Sequence, residues 1–276
     1  ALDARTATPG IFRICRDVVS SMAPATVPLA VSSTLVIQSH RDPLPFPWLQ
    51  SCLDSVAGWA RANRYHYRYL GDEIFAPLAR DIVDRIGAQR VIASDLARLA
   101  SLQQGLAEGY DCVVWCDADF LIFQPQRFIL PQSDFALGRE VWIQPDERQR
   151  PRAYVKVHNA MLMFRRGNSF LDFYRDTAER LLRLNEGGMP PQFIGPKLLT
   201  ALHNIARCPV MENAAMLSPM VMREYLAGQG DALGLFRRKS PRLPAGANLS
   251  SSLAQGEGLG DSEMNELIGR LLSGGI

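Results

Sequence analysis

The sequence has almost no net charge. Its 30 Lys and Arg against 28 Asp and Glu leave +2 over 276 residues. A balance this close to neutral gives no bias toward nucleic acid or an anionic membrane, so no nucleic-acid partner is expected. Long apolar runs are missing too. No stretch reaches the roughly 20 residues needed to span a bilayer, and no secretory pattern opens the chain. Cysteine is scarce, five residues in all. Cys112 and Cys116 flank one apolar stretch with no second pair to complete a zinc site. They read as buried free thiols in a reducing, cytoplasmic compartment. Of the four histidines, none follows His203.

What is present is ordinary globular material, 47% hydrophobic and 21% charged, enough for one large domain or two small ones. "IFRICRDVVSSM" places Ile11, Ile14, Val18 and Met22 on one helical face, either as a docking helix or, with Arg13 and Arg16, as a membrane-surface helix. "STLVIQS" (33–39) reads as a short buried strand. "WLQSCLDSVAGWARAN" (48–63) follows Pro47 with Leu49, Leu53, Val56 and Trp59 at helical spacing, and "YHYRYL" (65–70) alternates like a second strand. "FAPLARDIVDRIG" and "SDLARLASLQQGLAEG" read as helices that each close on a glycine. "CVVWCDADF" then reads as a third strand. Strands alternating with helices predict an α/β fold with a mixed, mostly parallel sheet and helices on both faces. Ligands in such folds bind beyond the carboxyl ends of the strands.

Asp117 and Asp119 sit at such an end, in "YDCVVWCDADFLIFQP". On an extended backbone residues i and i+2 point the same way. Two carboxylates in one cleft repel each other unless a hard divalent cation neutralises them, and Mg²⁺ completes its coordination with water and substrate phosphates. The alternative is a solvated loop, since Asp-x-Asp is a short pattern.

The stretch "SDLARLASLQQGLAEGYDCVVWCDADFLIFQP" (94–125) resembles the D-x-D glycosyltransferases of the Rossmann-like GT-A fold. The group in view contains fungal initiating α-mannosyltransferases, vertebrate α-1,4-galactosyltransferases and clostridial glucosylating toxins. Ser94, Asp95, Arg98, Tyr110, Asp117 and Asp119 fit its core pattern. "VKVHNAMLMFRRGNSFLDFY" (155–174) looks like the group's N-A-x-M strand and G-N-x-F helix start, and "FIGPKLLTAL" (193–202) like its G-P-x-x-L-T segment. The resemblance implies one GT-A domain over 1–276, with 1–30 a helical extension and 228–276 a C-terminal lid and helix. It implies a metal-dependent transferase that moves a sugar from a UDP- or GDP-sugar to an acceptor hydroxyl, with Mn²⁺ or Mg²⁺ and retention of configuration. The acceptor would be a glycan, a lipid-linked or a small molecule, with membrane-surface association left open. Asp117 and Asn159 would be catalytic. Gln38, Asp95, Arg98, Asp117 and Gly195 would bind the donor, and Asp119 the metal.

The sequence departs from that group where its late metal ligand would lie. "GANLSSSL" (246–253) offers Asn248 and Ser251, but Leu253 stands where the toxins have Trp. Asn248, with a carbonyl oxygen suited to a hard cation, is the candidate third ligand, or else a polar loop residue. Asp95 and Arg98 could equally form a surface ion pair. His158 and Asn159 are neighbours on one strand, so only one faces the cleft. His40 either borders the nucleotide or sits in a loop, His66 reads as a polar-face strand residue, and Trp48, Trp59 and Trp115 read as core. The charged stretch 139–152 around Trp142 reads as a surface loop or an acceptor lid. Residues 228–255, rich in Gly, Ser and Pro, read as a loosely held lid or a linker to the last helix. A nucleotidyltransferase would want a glycine-rich loop after the first strand, and "VIQSHRDPLPF" has none. A non-catalytic sugar-nucleotide-binding module is the other rival.

Overall fold

The computed structural model describes residues 33–276, and Ser33–Ile276 form one compact unit. The N-terminal extension, with the helix expected around Ile11–Met22, lies outside the described residues. Nine strands follow in chain order: β1 Thr34–Ser39, β2 His66–Leu70, β3 Cys112–Cys116, β4 Phe120–Ile122, β5 Phe135–Pro145, β6 Pro151–Arg165, β7 Val210–Met211, β8 Ala214–Met216 and β9 Gly246–Asn248. The helices are α1 Leu49–Ala62, α2 Arg80–Ile86, α3 Arg90–Ala107, α4 Ser169–Leu184, α5 Leu198–Ala206, α6 Pro219–Ala227, α7 Asp231–Lys239, α8 Ser251–Gly256 and α9 Asp261–Gly274.

The main sheet runs β2-β1-β3-β6-β5-β7. β1 pairs in parallel with both β2 and β3, and β5 with β7, whereas β6 is antiparallel to both its neighbours. Five strands therefore share one direction and β6 alone opposes them, as the expected mixed, mostly parallel α/β sheet requires. A second sheet, β4-β9-β8, stands beside it.

Strand alternation sorts the side chains into two cores. Leu35, Ile37, Val113, Trp115, Leu162 and Phe164 meet α3 and α4 on one face. Val36, Cys112, Val114, Cys116, Met161 and Met163 meet Val56, Trp59 and Ala60 of α1 on the other. Both faces are dry, so these strands read as continuous apolar runs. α1 buries Leu49, Leu53, Val56 and Trp59, as its spacing predicts, together with Cys52. Cys52, Cys112, Cys116 and Cys208 are buried free thiols.

Several expected boundaries shift. The helix expected from Phe75 breaks at Pro77 into a 3-10 turn, Asp72–Phe75, and the short α2, because proline removes a donor and restricts the preceding residue. α3 begins at Arg90, ahead of the Ser94-Asp95 motif. The stretch 139–152 is mostly a β-ribbon between β5 and β6, with only 146–150 left as a loop. Residues 228–255 bury Ala232, Leu233 and Phe236 on α7 and the whole run 245–250, contrary to the expectation that this stretch covers little apolar surface. No described helix is long and apolar enough to cross a membrane.

Candidate active site

"CVVWCDADFLIF" is not one strand but two, in different sheets. β3 ends at Cys116, Asp117 still donates its N–H to Ala160 O (2.8 Å), and a tight turn closes with Phe120 N–H on Asp117 O (3.0 Å). The chain then enters β4 and pairs with β9. Asp117, Ala118 and Asp119 form the corner where the chain changes sheet. Both carboxylates face one cleft of about 550 Å³, by way of a turn and not of the extended backbone expected. The cleft opens at the carboxyl ends of β1, β2 and β3, where the ligand rule for such sheets places it.

Asp117 is held from behind. Trp115 Nε1–H donates to its Oδ1 (2.7 Å), and an Arg98 guanidinium nitrogen lies 3.2 Å from the same oxygen. About a quarter (25%) of its side-chain surface stays open. Burial raises its pKa against the pull of Arg98, and Asp119 adds to the rise. Arg98 also approaches Asp95 (3.2 Å), donates to Asn159 O (2.7 Å) and lies over the Trp115 ring, 5.3 Å from its centroid. Trp115 was expected to be plain core. Its position two residues before Asp117, on the same side of the strand, is the sequence signal for its second role.

Asp95 and Asn159 lie beneath this layer. The Asn159 amide donates to Asp95 Oδ1 (2.8 Å), and both residues are almost fully buried. Burial raises the Asp95 pKa, with Arg98 and Asn159 pulling the other way. Asp95 Oδ2 has no hydrogen-bond partner among the described residues. Gly195, in the π-helical turn Phe193–Lys197, closes the layer: a Cβ there would stand 2.4 Å from Asp95 Oδ2 and 2.7 Å from Asn159 Nδ2. The buried Tyr174 hydroxyl secures this turn through Ile194 O (2.8 Å). Asp95 and Arg98 are thus a buried pair, not a surface one.

Gln38 does not reach the cleft. It is fully buried, donates to Asp117 O (3.0 Å) and accepts from the Tyr67 hydroxyl (3.0 Å). Its place supports the corner from below, in place of the donor contact expected of it. His158 turns away from Asn159, as alternation requires. Its Nδ1 accepts from Ala160 N–H (3.1 Å), so Nε2 carries the proton toward Ala214 O (3.2 Å). Burial pushes its pKa down to about 4, which leaves it neutral. Gly138 makes room for the ring, since a Cβ would lie 2.1 Å from Cε1. Asn168 of "GNSF" caps α4, accepting from Phe170 and Leu171 N–H.

Asp119 lies across the corner. Asn248 Nδ2 donates to its Oδ1 (2.5 Å) and Ser251 N–H to its Oδ2 (2.8 Å). The β4-β9 register, with Phe120 opposite Asn248, brings them together. Ser250 N–H donates to Asn248 Oδ1 (2.8 Å), which fixes the orientation of the amide. Asn248 therefore presents nitrogen to Asp119 and spends its carbonyl on backbone. It holds Asp119, and as placed it does not offer the metal oxygen expected of it.

Among the described residues no three His, Cys, Asp or Glu side chains converge as a metal cage. The donor set still fits a hard cation bound largely through water and substrate. A carboxylate has about four lone-pair sites, and Asp119 commits two of them, one on each oxygen. One protein carboxylate with solvent and phosphate oxygens is a usual Mg²⁺ arrangement.

Beside His40, which the sequence allowed to border the nucleotide, the cleft wall includes residues that the sequence did not mark for it. Phe46, Leu49 and Phe75 give an apolar flank, and Arg41, Arg90 and His40 a basic one. Arg90 also pairs with Asp72 at 2.8 Å. No common sequence signal marks them: Arg41 and Phe46 follow β1, Phe75 ends the 3-10 turn after β2, and Leu49 and Arg90 open α1 and α3.

No protein-family model and no curated protein sequence matches the chain. Among solved structures it is similar to a glycosyltransferase involved in the glycosylation of the major capsid of PBCV-1, at 11% identity and TM-score 0.47, over 86% of this chain and 99% of that one. It is similar to the galactosyltransferase LgtC in complex with donor and acceptor sugar analogs, at 14% identity and TM-score 0.43, over 86% and 95%. It is also similar to 4-diphosphocytidyl-2C-methyl-D-erythritol synthase from Anaerococcus prevotii, at 10% identity and TM-score 0.34, over 65% and 86%. At these values the likenesses carry no weight on chemistry, which rests on the residues of the site.

Proposed function

We propose that this chain is a glycosyltransferase of GT-A type, moving a sugar from a nucleoside diphosphate sugar to an acceptor hydroxyl. One observation carries the reading. Asp95, Arg98, Asn159 and Gly195 come from three separate stretches of sequence and meet in a single buried layer behind Asp117, at the corner that also carries Asp119.

In this reading the chain's own residues act by positioning. Trp115 and Arg98 both engage Asp117 Oδ1, which leaves Oδ2 to accept a ribose or sugar hydroxyl from the donor. Asp95 and the Asn159 carbonyl hold Arg98 in place, so its charge stands beside the reacting end of the cleft without reorganisation. Phe46 and Phe75 flank the base, and Arg41 and Arg90 face the diphosphate. Ser251, Ser252 and Gln255 of α8 border the same cleft and limit water at the anomeric carbon. A divalent cation held by Asp119 would neutralise the departing diphosphate. Retention of configuration is part of the proposal and rests on the motif resemblance alone.

The test is Mn²⁺-dependent release of nucleoside diphosphate from UDP- and GDP-sugars, paired with thermal shifts. A ligand at about 100 times its Kd adds about 2.7 kcal/mol of stability. A second reading, a non-catalytic sugar-nucleotide-binding module, is favoured by the two hydrogen bonds already spent on Asp119. It predicts the thermal shift without the release.

A further inference from the structure

A second cavity, about 800 Å³, lies on the other side of α8. Ser251, Ser252 and Gln255 of that helix line the first cleft, whereas Leu253, and Glu257 just past its end, line the second. A second wall is shared as well. Gln192, held in the left-handed region at φ 64°, borders the second cavity and leads directly into the turn whose Gly195 presses on Asp95 and Asn159. The cavity is thus linked to the candidate site through two separate segments. Direct transfer needs neighbouring sites, and the two cavities adjoin at α8, although they share no lining residue.

Its floor is written in "REVWIQP". Along β5, Val141 and Ile143 join the core while Glu140, Trp142 and Gln144 alternate with them, and Ile143 and Pro145 also border the cavity. Lys156 of β6 stands across the ladder from Glu140. The Trp142 indole N–H is spent on Gln144 Oε1 (3.1 Å), while its ring remains partly exposed. Glu140 is only 8% exposed, yet burial and the Lys156 charge are the influences on its carboxyl, with no hydrogen bond among them. Its oxygens are not sealed from solvent, unlike Asp95 Oδ2, and stay open to a partner from the cavity. Here the carboxylate and the ammonium both line a space that a ligand could fill.

We propose that this cavity binds the acceptor, and that the acceptor is a neutral saccharide. This rests on the glycosyltransferase reading. The Trp142 ring suits the apolar C–H face of a sugar ring. The carboxylate of Glu140 accepts from ring hydroxyls and the Lys156 ammonium donates to them. Met220 and Leu253 add an apolar wall. The ionisable side chains of the lining are Glu140, Glu224 and Glu257 against Lys156 and Arg223. Arg223 is paired with Glu257 at 3.0 Å, and Glu224 accepts from Leu233 N–H. That excess of acid disfavours an anionic acceptor.

Saturation-transfer NMR on the full chain, with no donor present and again with UDP and Mn²⁺, reads this separately from catalysis. The probes are octyl β-lactoside and octyl α-mannoside as neutral glycosides, and sialyllactose as the acidic one. A neutral glycoside should bind with its strongest signals on one ring face. Trp142→Ala should weaken it by about tenfold or more, and Glu140→Gln by about fivefold, in variants whose thermal melts show an intact fold. Tighter binding of sialyllactose, equal binding by Trp142→Ala, or no binding of either neutral probe under both conditions overturns the proposal. A chain that binds the glycosides but releases no nucleoside diphosphate from any donor would sink the function reading and leave the saccharide cavity standing.

Discussion

The two cavities treat charge in opposite ways. Behind the corner, Asp95, Arg98, Asp117 and Asn159 are bonded to one another and sealed by Gly195, so each buried polar group has partners except Asp95 Oδ2. Across α8, Glu140 and Lys156 stand opposite each other on the β5-β6 ladder; no hydrogen bond holds the Glu140 carboxyl, and the Lys156 ammonium lies over the Tyr154 ring, 5.7 Å from its centroid. The first arrangement is preorganised: its geometry is set before any ligand arrives, and removing one member leaves the rest stranded. The second leaves the Glu140 carboxyl without a hydrogen bond, which under the acceptor proposal a sugar hydroxyl supplies. A ligand would tune the second far more than the first.

The largest expected effect breaks the first region at its open end. Asp119→Asn should cut transfer by about a thousandfold or more, since stabilisation of developing charge is commonly worth that much. Its melting temperature should fall modestly, because the amide oxygen can still accept from Ser251 N–H while the amide NH2 then faces the Asn248 NH2. Transfer at the wild-type rate with Mn²⁺ supplied would sink the paired-carboxylate reading. Next comes the network itself. Arg98→Met leaves Asp95 and Asp117 without their cation and should cost about 3–5 kcal/mol, read by denaturant unfolding. A loss below about 1 kcal/mol would mean that solvent reaches these carboxylates and the layer is not sealed.

Gly195→Ala asks the same question through shape. Its methyl group would collide with Asp95 Oδ2 and Asn159 Nδ2, so about 1–3 kcal/mol of stability should be lost. The donor KM should rise with it. A neutral substitution would show that the turn 193–197 moves freely.

The second region should respond with the opposite sign. Burial pushes the Glu140 carboxyl up to about 7 from an ordinary value of 4.5. Between those values the folded chain binds more protons than the unfolded one, so stability falls as pH rises and the full cost stands above pH 7. Glu140→Gln should therefore be more stable than wild type at pH 8, by about 3 kcal/mol at most, and no more stable below pH 4.5. A variant equally or less stable at pH 8 would mean that the carboxylate is well solvated or bonded. The smallest effect is Lys156→Met, within about 0.5 kcal/mol by thermal melt, since Lys156 is exposed and its ammonium lies over the Tyr154 ring with no close ion pair among the described residues. A large loss there would show that Glu140 and Lys156 form a structural pair and would erase the contrast between the two regions.

Much of this was legible in the sequence. The apolar runs 34–39 and 112–116 became central strands because both faces of the sheet are covered. The spacing of Leu49, Leu53, Val56 and Trp59 placed α1 because a helix buries one stripe. The residues Asp95, Arg98, Asp117, Asn159 and Gly195 could be singled out because short motifs keep their local backbone setting. Periodicity is a local property, and local rules suffice for it.

Only the tertiary structure decided which of those residues open to a ligand. Gln38 and Asn248 have side chains suited to donor and metal contact, yet each is spent on backbone brought in from elsewhere: Asp117 O for Gln38, Ser250 N–H for Asn248. Trp115 looked like core and proved to hold Asp117. The run through the two aspartates looked like one strand and splits between two sheets, because its second half finds β9 more than 100 residues away. The sequence determined the elements and the chemical inventory. Hydrogen-bond partners across long separations settled the use of each polar group, since a buried donor or acceptor takes whatever partner the fold delivers, and nothing in the neighbouring residues announces it.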